Sequence, residues 1–130
     1  MANNEERYIP GICNIGRAEV RQRQLIGYIS AIVTIALAVT LFVTRLAPAW
    51  RLLLFFPAAV AAVGFLQSAW HFCAKFGLDG VFNFGPEVGR TDPVAQAEFR
   101  RQDRRTALKI VGLSALAGAL IAAAAYLAPF

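Results

Sequence analysis

Two cysteines and one histidine are the side chains of this 130-residue chain best suited to chemistry, and two of them nearly adjoin: His71 and Cys73, with Cys13 far upstream. Thiols brought to one face could hold a metal, close a transient disulfide or carry a sulfur atom. A closed zinc site takes four ligands, and these three residues fall short of it. Helical residues two apart also point in different directions, so a metal shared by His71 and Cys73 requires local unwinding. A haem with one axial ligand at His71 stays open, beside the plainer reading of His71 as amphipathic packing. No phosphate loop, dinucleotide fingerprint, zincin helix or nucleophile elbow is present, so no catalytic residue is assigned. No metal is expected, and no cofactor is identified.

The elements that must position these residues are unusually apolar. The chain is 58% apolar and only 16% charged, with a mean hydropathy of +0.53, where a soluble domain carries roughly a quarter charged residues. Leu25 to Thr44 and Ile110 to Phe130 are uncharged, and Leu52 to Phe72 holds only His71 as a titratable group. About 20 residues at 1.5 Å rise cover about 30 Å, the thickness of a bilayer core. The expected fold is therefore an all-α integral membrane protein with three transmembrane helices. The first run is too deep in the chain and too long for a signal-peptide core, and no lipidation motif is visible. No span carries a carboxylate or a basic residue, which argues against a pump or an ion channel.

Lysine and arginine counts set an orientation. Eleven lie in the flanks of residues 1–24 and 73–109, against Arg45 and Arg51 in the short turn between the first two runs. This predicts a bacterial inner membrane protein with its N-terminus in the cytoplasm and its C-terminus outside. Both cysteines then sit in a reducing compartment, where a permanent disulfide is not expected. The net charge of +5 reads as attraction to anionic lipid rather than nucleic acid, because the basic residues flank apolar runs.

Four segments follow. Residues 1–23 form an N-terminal segment, frayed up to Pro10-Gly11, with Asn14 as N-cap of a juxtamembrane helix and Glu19 favouring its dipole. Residues 24–72 form a two-helix hairpin turning at Pro48, with Trp50 at the interface and Pro57 in an early helical turn where it is tolerated. Residues 73–109 combine a loop rich in Gly and Phe, its aromatics laid on the membrane surface, with a basic amphipathic helix starting after Thr91-Asp92-Pro93. Residues 110–130 continue that helix as the third span. Arg100, Arg101, Arg104 and Arg105 share one broad face suited to anionic lipid or a partner's carboxylates. Ser114, Gly118 and Ala122 recur at spacing four, as do Ala115, Ala119 and Ala123, which lets helices approach closely within the chain or in a homo-oligomer. The hydroxyls of Ser30, Thr34 and Thr40 can bond their own backbone. Finally, Gly11-Ile-Cys-Asn-Ile-Gly echoes Gly80-Val-Phe-Asn-Phe-Gly, each placed ahead of an arginine-rich helix.

Asn14-x-Gly16-x-x-Glu19-x-x-x-Arg23-x-x-x-Gly27, entering an apolar run, resembles the opening of the YgaP-like small inner-membrane domain family. In that family a second helix ends in Cys-Pro-x-Tyr-x-x-x-Gly. Here Cys73-Ala-Lys-Phe76-Gly-Leu-Asp-Gly80 keeps the cysteine, an aromatic and the glycine. The resemblance covers about residues 11–83; Val20 and Ala74 depart from it, and the third helix has no counterpart. Links of some members to rhodanese sulfurtransferases imply a sulfur or thiol role for Cys73. The residues themselves point first to a non-catalytic accessory or assembly subunit of a larger respiratory or photosynthetic membrane complex. The alternative is a thiol or sulfur-handling membrane protein using Cys73 with Cys13. Expected partners are membrane lipids and other membrane subunits or further copies of the chain, with no nucleic acid.

Overall fold

The computed structural model describes residues 7–129. Three helical stretches, Arg17–Val43, Pro48–Trp70 and Ala97–Leu127, are long and apolar enough to cross a membrane. The first is the single helix α1, Arg17–Val43. Gly16 precedes it in extended conformation and no side chain caps it. The expected cap, Asn14, is spent elsewhere, on the backbone of Cys73. Along α1, Thr34 and Thr40 donate to the carbonyls of Ser30 and Ala36, so these hydroxyls stay satisfied without a partner helix.

A turn with Arg45 in the left-handed region leads into a 3-10 helix, Pro48–Leu54, which runs on as α2, Phe55–Trp70. Pro57 falls in the first turn of α2, just past its junction with the 3-10 helix. α2 ends at His71, itself left-handed.

Beyond it the expected irregular loop is partly ordered. Ala74–Asp79 is a short helix, α3, stopped by left-handed Gly80. Val81–Phe82 (β1) then pairs antiparallel with Asp92–Pro93 (β2). The last helix, α4, therefore starts at Ala97 with Gln96 as N-cap, not directly after Pro93. Two contacts hold the intervening residues out of the helix. The Val94 N–H donates to the Gly80 carbonyl at 2.8 Å, and Arg100 donates to the Val94 and Ala95 carbonyls. The aromatics of this segment also differ from expectation. Phe76 is buried, and Phe82 stacks on Tyr8 with ring centres 5.1 Å apart and tilts against Phe84. They pack on the chain itself because the N-terminal segment folds back to meet them.

α2 is the middle element, with α1 and α4 each packed on it and little contact between those two. Close approach sets both seams. A Cβ on Gly64 would lie 2.6 Å from the backbone nitrogen of Gly27, and one on Gly27 would meet the Phe65 ring at 2.8 Å. On the other seam, a Cβ on Gly118 would lie 2.8 Å from the Phe55 carbonyl oxygen. The inward stripe of α4 is Asp103, Ala107, Ile110, Ser114, Gly118, Ala122 and Ala125, a helical spacing of three and four. At one end of this open layer lies a polar head built from residues 7–16 and 71–96. At the other end, Leu41, Leu54 and Ala125 form a small apolar cluster.

That far end hides a cation. Arg51, counted above as a flanking charge, is only 3% exposed. It donates to the Ala125 and Ala128 carbonyls at 3.1 and 3.2 Å, and its guanidinium lies 4.2 Å from the centre of the Phe42 ring. The last carbonyls of a helix are short of donors; at the end of α4 the Ala128 N–H reaches the Ala125 carbonyl at 3.3 Å, and Arg51 adds donors to the Ala125 and Ala128 carbonyls.

Candidate functional site

The head assembles around the two echoed segments, which meet each other. Ile15 and Asn83 form a parallel bridge, with the Gly16 N–H donating to the Asn83 carbonyl at 2.9 Å and the Asn83 N–H to the Asn14 carbonyl at 3.0 Å. Gly11 and Gly80, each opening its segment, are both left-handed, with φ of 71° and 75°; any other residue type would be strained there.

Each asparagine then uses both ends of its amide. Asn14 accepts from the Cys73 N–H at 2.7 Å and donates to the Cys73 carbonyl at 3.2 Å. Asn83 donates to Glu19 at 2.7 Å and to the Glu87 carbonyl at 2.8 Å, and accepts from the Gly85 N–H.

Glu19 is the electrostatic centre. It lies one turn before Arg23 on α1, is 1% exposed, and forms an ion pair with Arg23. Its other oxygen takes Asn83 and the Gly89 N–H, the latter at 2.6 Å. A buried carboxylate is tolerable only when paired and hydrogen-bonded in this manner. The Arg23 guanidinium reaches further, donating to the Cys73 sulfur at 2.9 Å and lying 5.3 Å from the centre of the Phe76 ring. Ile15, Cys73 and Phe76 pack together beneath it, with Val20 and Val81 alongside.

Cys73 is thus positioned by three contacts but only 2% exposed. Cys13 is also buried, its sulfur directed to the Ile15 carbonyl at 3.7 Å, and no disulfide joins the two. Among the described residues no group of three His, Cys, Asp or Glu side chains could hold a metal ion. His71 serves through its backbone, its carbonyl accepting from the Asn14 N–H at 3.1 Å.

The other sequence-derived candidates lie apart from this cluster. Arg100 is committed to the start of α4, and Arg101 pairs with Glu98 at 3.4 Å. Arg104 and Arg105 are exposed. Ser114, Gly118 and Ala122 face inward from α4; Gly118 abuts α2, and the Ser114 hydroxyl has no hydrogen-bond partner among the described residues.

A second polar anchor was not anticipated. The Tyr8 hydroxyl donates to Asp103 at 2.6 Å, the Gly11 N–H to the same carboxylate at 2.7 Å, and the Thr106 hydroxyl to the Gly11 carbonyl. Burial, then donation to Asp103, push the Tyr8 phenol above its ordinary range. From Tyr8 onward the expected frayed tail is therefore pinned to α4, while residues 1–6 lie outside the described residues. Asn83 and Gly89 were missed as well, although the repeated Asn-x-Gly was a signal for the first. Comparisons with family models, curated proteins and solved structures return no match for this chain.

Proposed function

We propose that this chain is a multi-pass protein of a bacterial inner membrane, serving as a non-catalytic accessory or assembly subunit of a larger complex of respiratory or photosynthetic type. One observation carries the reading. The charged groups packed into the head, buried Glu19 and Asp103 and partly buried Arg23, are engaged within the head itself, while the helices turn large apolar residues outward. Ile29, Ile32, Val33 and Ile35 on α1, and Leu113, Leu116 and Leu120 on α4, are all exposed. Such faces suit lipid or the helices of other subunits. The N-terminus is assigned to the cytoplasm and the C-terminus to the outside. Burial of Arg51 supports this, since it leaves Arg45 as the exposed cation of the far turn.

The resemblance to the YgaP-like family belongs to this proposal. Asn14, Glu19, Arg23, Cys73 and Phe76, which carry it, are the residues knotted together in the head.

Native mass spectrometry after gentle extraction from the source membrane tests the main reading. Larger, distinct subunits in the same assembly are expected; a monomer or a pure homo-oligomer at every detergent strength would overturn it.

The contact of Arg23 with the Cys73 sulfur favours a second reading, a thiol or sulfur-handling protein using Cys73 with Cys13, because reactive cysteines occupy electropositive surroundings. Reactive cysteines are also reachable, and Cys73 is not. Persulfide labelling of Cys73 in native membranes is the outcome that would promote it.

A further inference from the structure

Two shallow cavities meet on the outer side of the first turns of α1. The upper, about 410 Å³, is lined by Arg17, Ala18, Arg21, Phe84, Gly85 and Pro86. The lower, about 540 Å³, runs past Gln22 and Gln24 to Leu25 and Tyr28. Ala18 and Arg21 line both, so the two form one groove running down the helix.

Its chemistry changes along its length. At the top stand the guanidinium side chains of Arg17 and Arg21, and among the described residues no carboxylate lines that cavity. Glu19, the nearest acid in sequence, is turned into the head and consumed by Arg23, Asn83 and Gly89. Arg21 is exposed and has no ion-pair partner among the described residues. At the bottom, Leu25 and Tyr28 are 57% and 56% exposed, at the start of the long uncharged run. A site that is cationic above and apolar below, where the chain passes from polar to apolar sequence, matches an amphiphile with an anionic head. On the basic face of α4, Arg100 and Arg101 are engaged within their own helix end, and Arg104 and Arg105, though exposed, line neither cavity.

We propose that this groove holds one anionic phospholipid, its phosphate at Arg21 and an acyl chain along Leu25 and Tyr28. Charge complementarity fixes the head, and the apolar lower cavity distinguishes a lipid from a free phosphate ester.

The full chain in mild detergent, titrated by native mass spectrometry, tests this with three probes: dioleoylphosphatidylglycerol, dioleoylphosphatidylcholine and glycerol 3-phosphate. A single phosphatidylglycerol adduct, tighter than phosphatidylcholine, is expected. R21Q should weaken it about fivefold, the share of one basic residue near an anionic lipid. A18F should block the groove without changing charge, and R104Q/R105Q should stay within about twofold of the parent. Equal binding of the two lipids, equally tight binding of glycerol 3-phosphate, or an equal loss in R104Q/R105Q would each overturn the proposal.

Discussion

The head and the helix layer hold together by opposite means. In the head, a few polar side chains each make two or three directed contacts, and Glu19 alone joins α1 to residues 83 and 89. In the layer, contact depends on missing side chains, with Gly27, Gly64 and Gly118 bringing backbones together. A directed network fails abruptly when one member is lost, whereas a packing seam yields in proportion to the volume added. The two regions therefore call for different perturbations.

The largest expected effect is in the head. Glu19→Ala leaves the largely enclosed Arg23 side chain, 11% exposed, without its counter-charge and should cost about 3 kcal/mol, the lower end for removal of one partner of a buried ion pair. Thermal unfolding in detergent micelles measures it. The double variant E19A/R23M should recover much of the loss, because the uncompensated charge goes with it; a double variant as unstable as E19A would show that the network matters for shape rather than charge.

How far this contrast was legible in the sequence differs between the two regions. Three long apolar runs announced the helices, and the observed C-terminal ends follow those runs closely because apolar length is a local property, while α1 and α4 begin well upstream, at Arg17 and Ala97, in charged sequence. The spacing of Ser114, Gly118 and Ala122 marked a close-packing face, but Ala115, Ala119 and Ala123 share that spacing and are exposed, so spacing alone did not choose between the two. The head could not be read the same way. Asn14 looked like a helix cap because Asn before an apolar run usually is one, yet its amide is held by Cys73, 59 residues away. Thr91-Asp92-Pro93 looked like a helix start for similar local reasons, and lost to pairing with Val81 and Phe82. Arg51 read as a surface charge because no local pattern reveals that the end of α4 lies beside it. In each case a long-range partner outbid a local preference.

On the layer side, Gly64→Leu should cost about 1–3 kcal/mol by forcing α1 and α2 apart. The same unfolding assay, set against Gly112→Leu, checks it, since nothing lies within 4 Å of a Cβ at Gly112. At the far end, Arg51→Met removes the donors to the last turn of α4 and should cost about 2 kcal/mol. Faster amide hydrogen exchange confined to residues 122–127 would identify the lost cap.

A smaller loss, about 1 kcal/mol, is expected for Tyr8→Phe, which keeps the ring on Phe82 but removes donation to Asp103. Its sign with pH follows from the raised phenol. The contribution is fully present below the ordinary phenol pKa of about 10 and fades as pH rises toward the higher folded value. Parent and variant should thus differ in unfolding temperature at neutral pH and converge in strong alkali. Least of all, Ile32→Ala on the outer face of α1 should shift stability by at most about 0.5 kcal/mol. If that exchange nonetheless strips partner subunits from the extracted assembly, the exposed face of α1 is a contact surface rather than a lipid boundary.

The pairing of residues 14–16 with 83 also has a consequence in time. A chain made from its N-terminus exposes Glu19 and Arg23 well before Asn83, Gly89 or Asp103 exists. Until then the carboxylate has Arg23 beside it but lacks two of the donors that make its burial tolerable. Completion waits for the second Asn-x-Gly segment, and the N-terminal strap locks last, when Tyr8 and Gly11 find Asp103 on a helix more than ninety residues downstream.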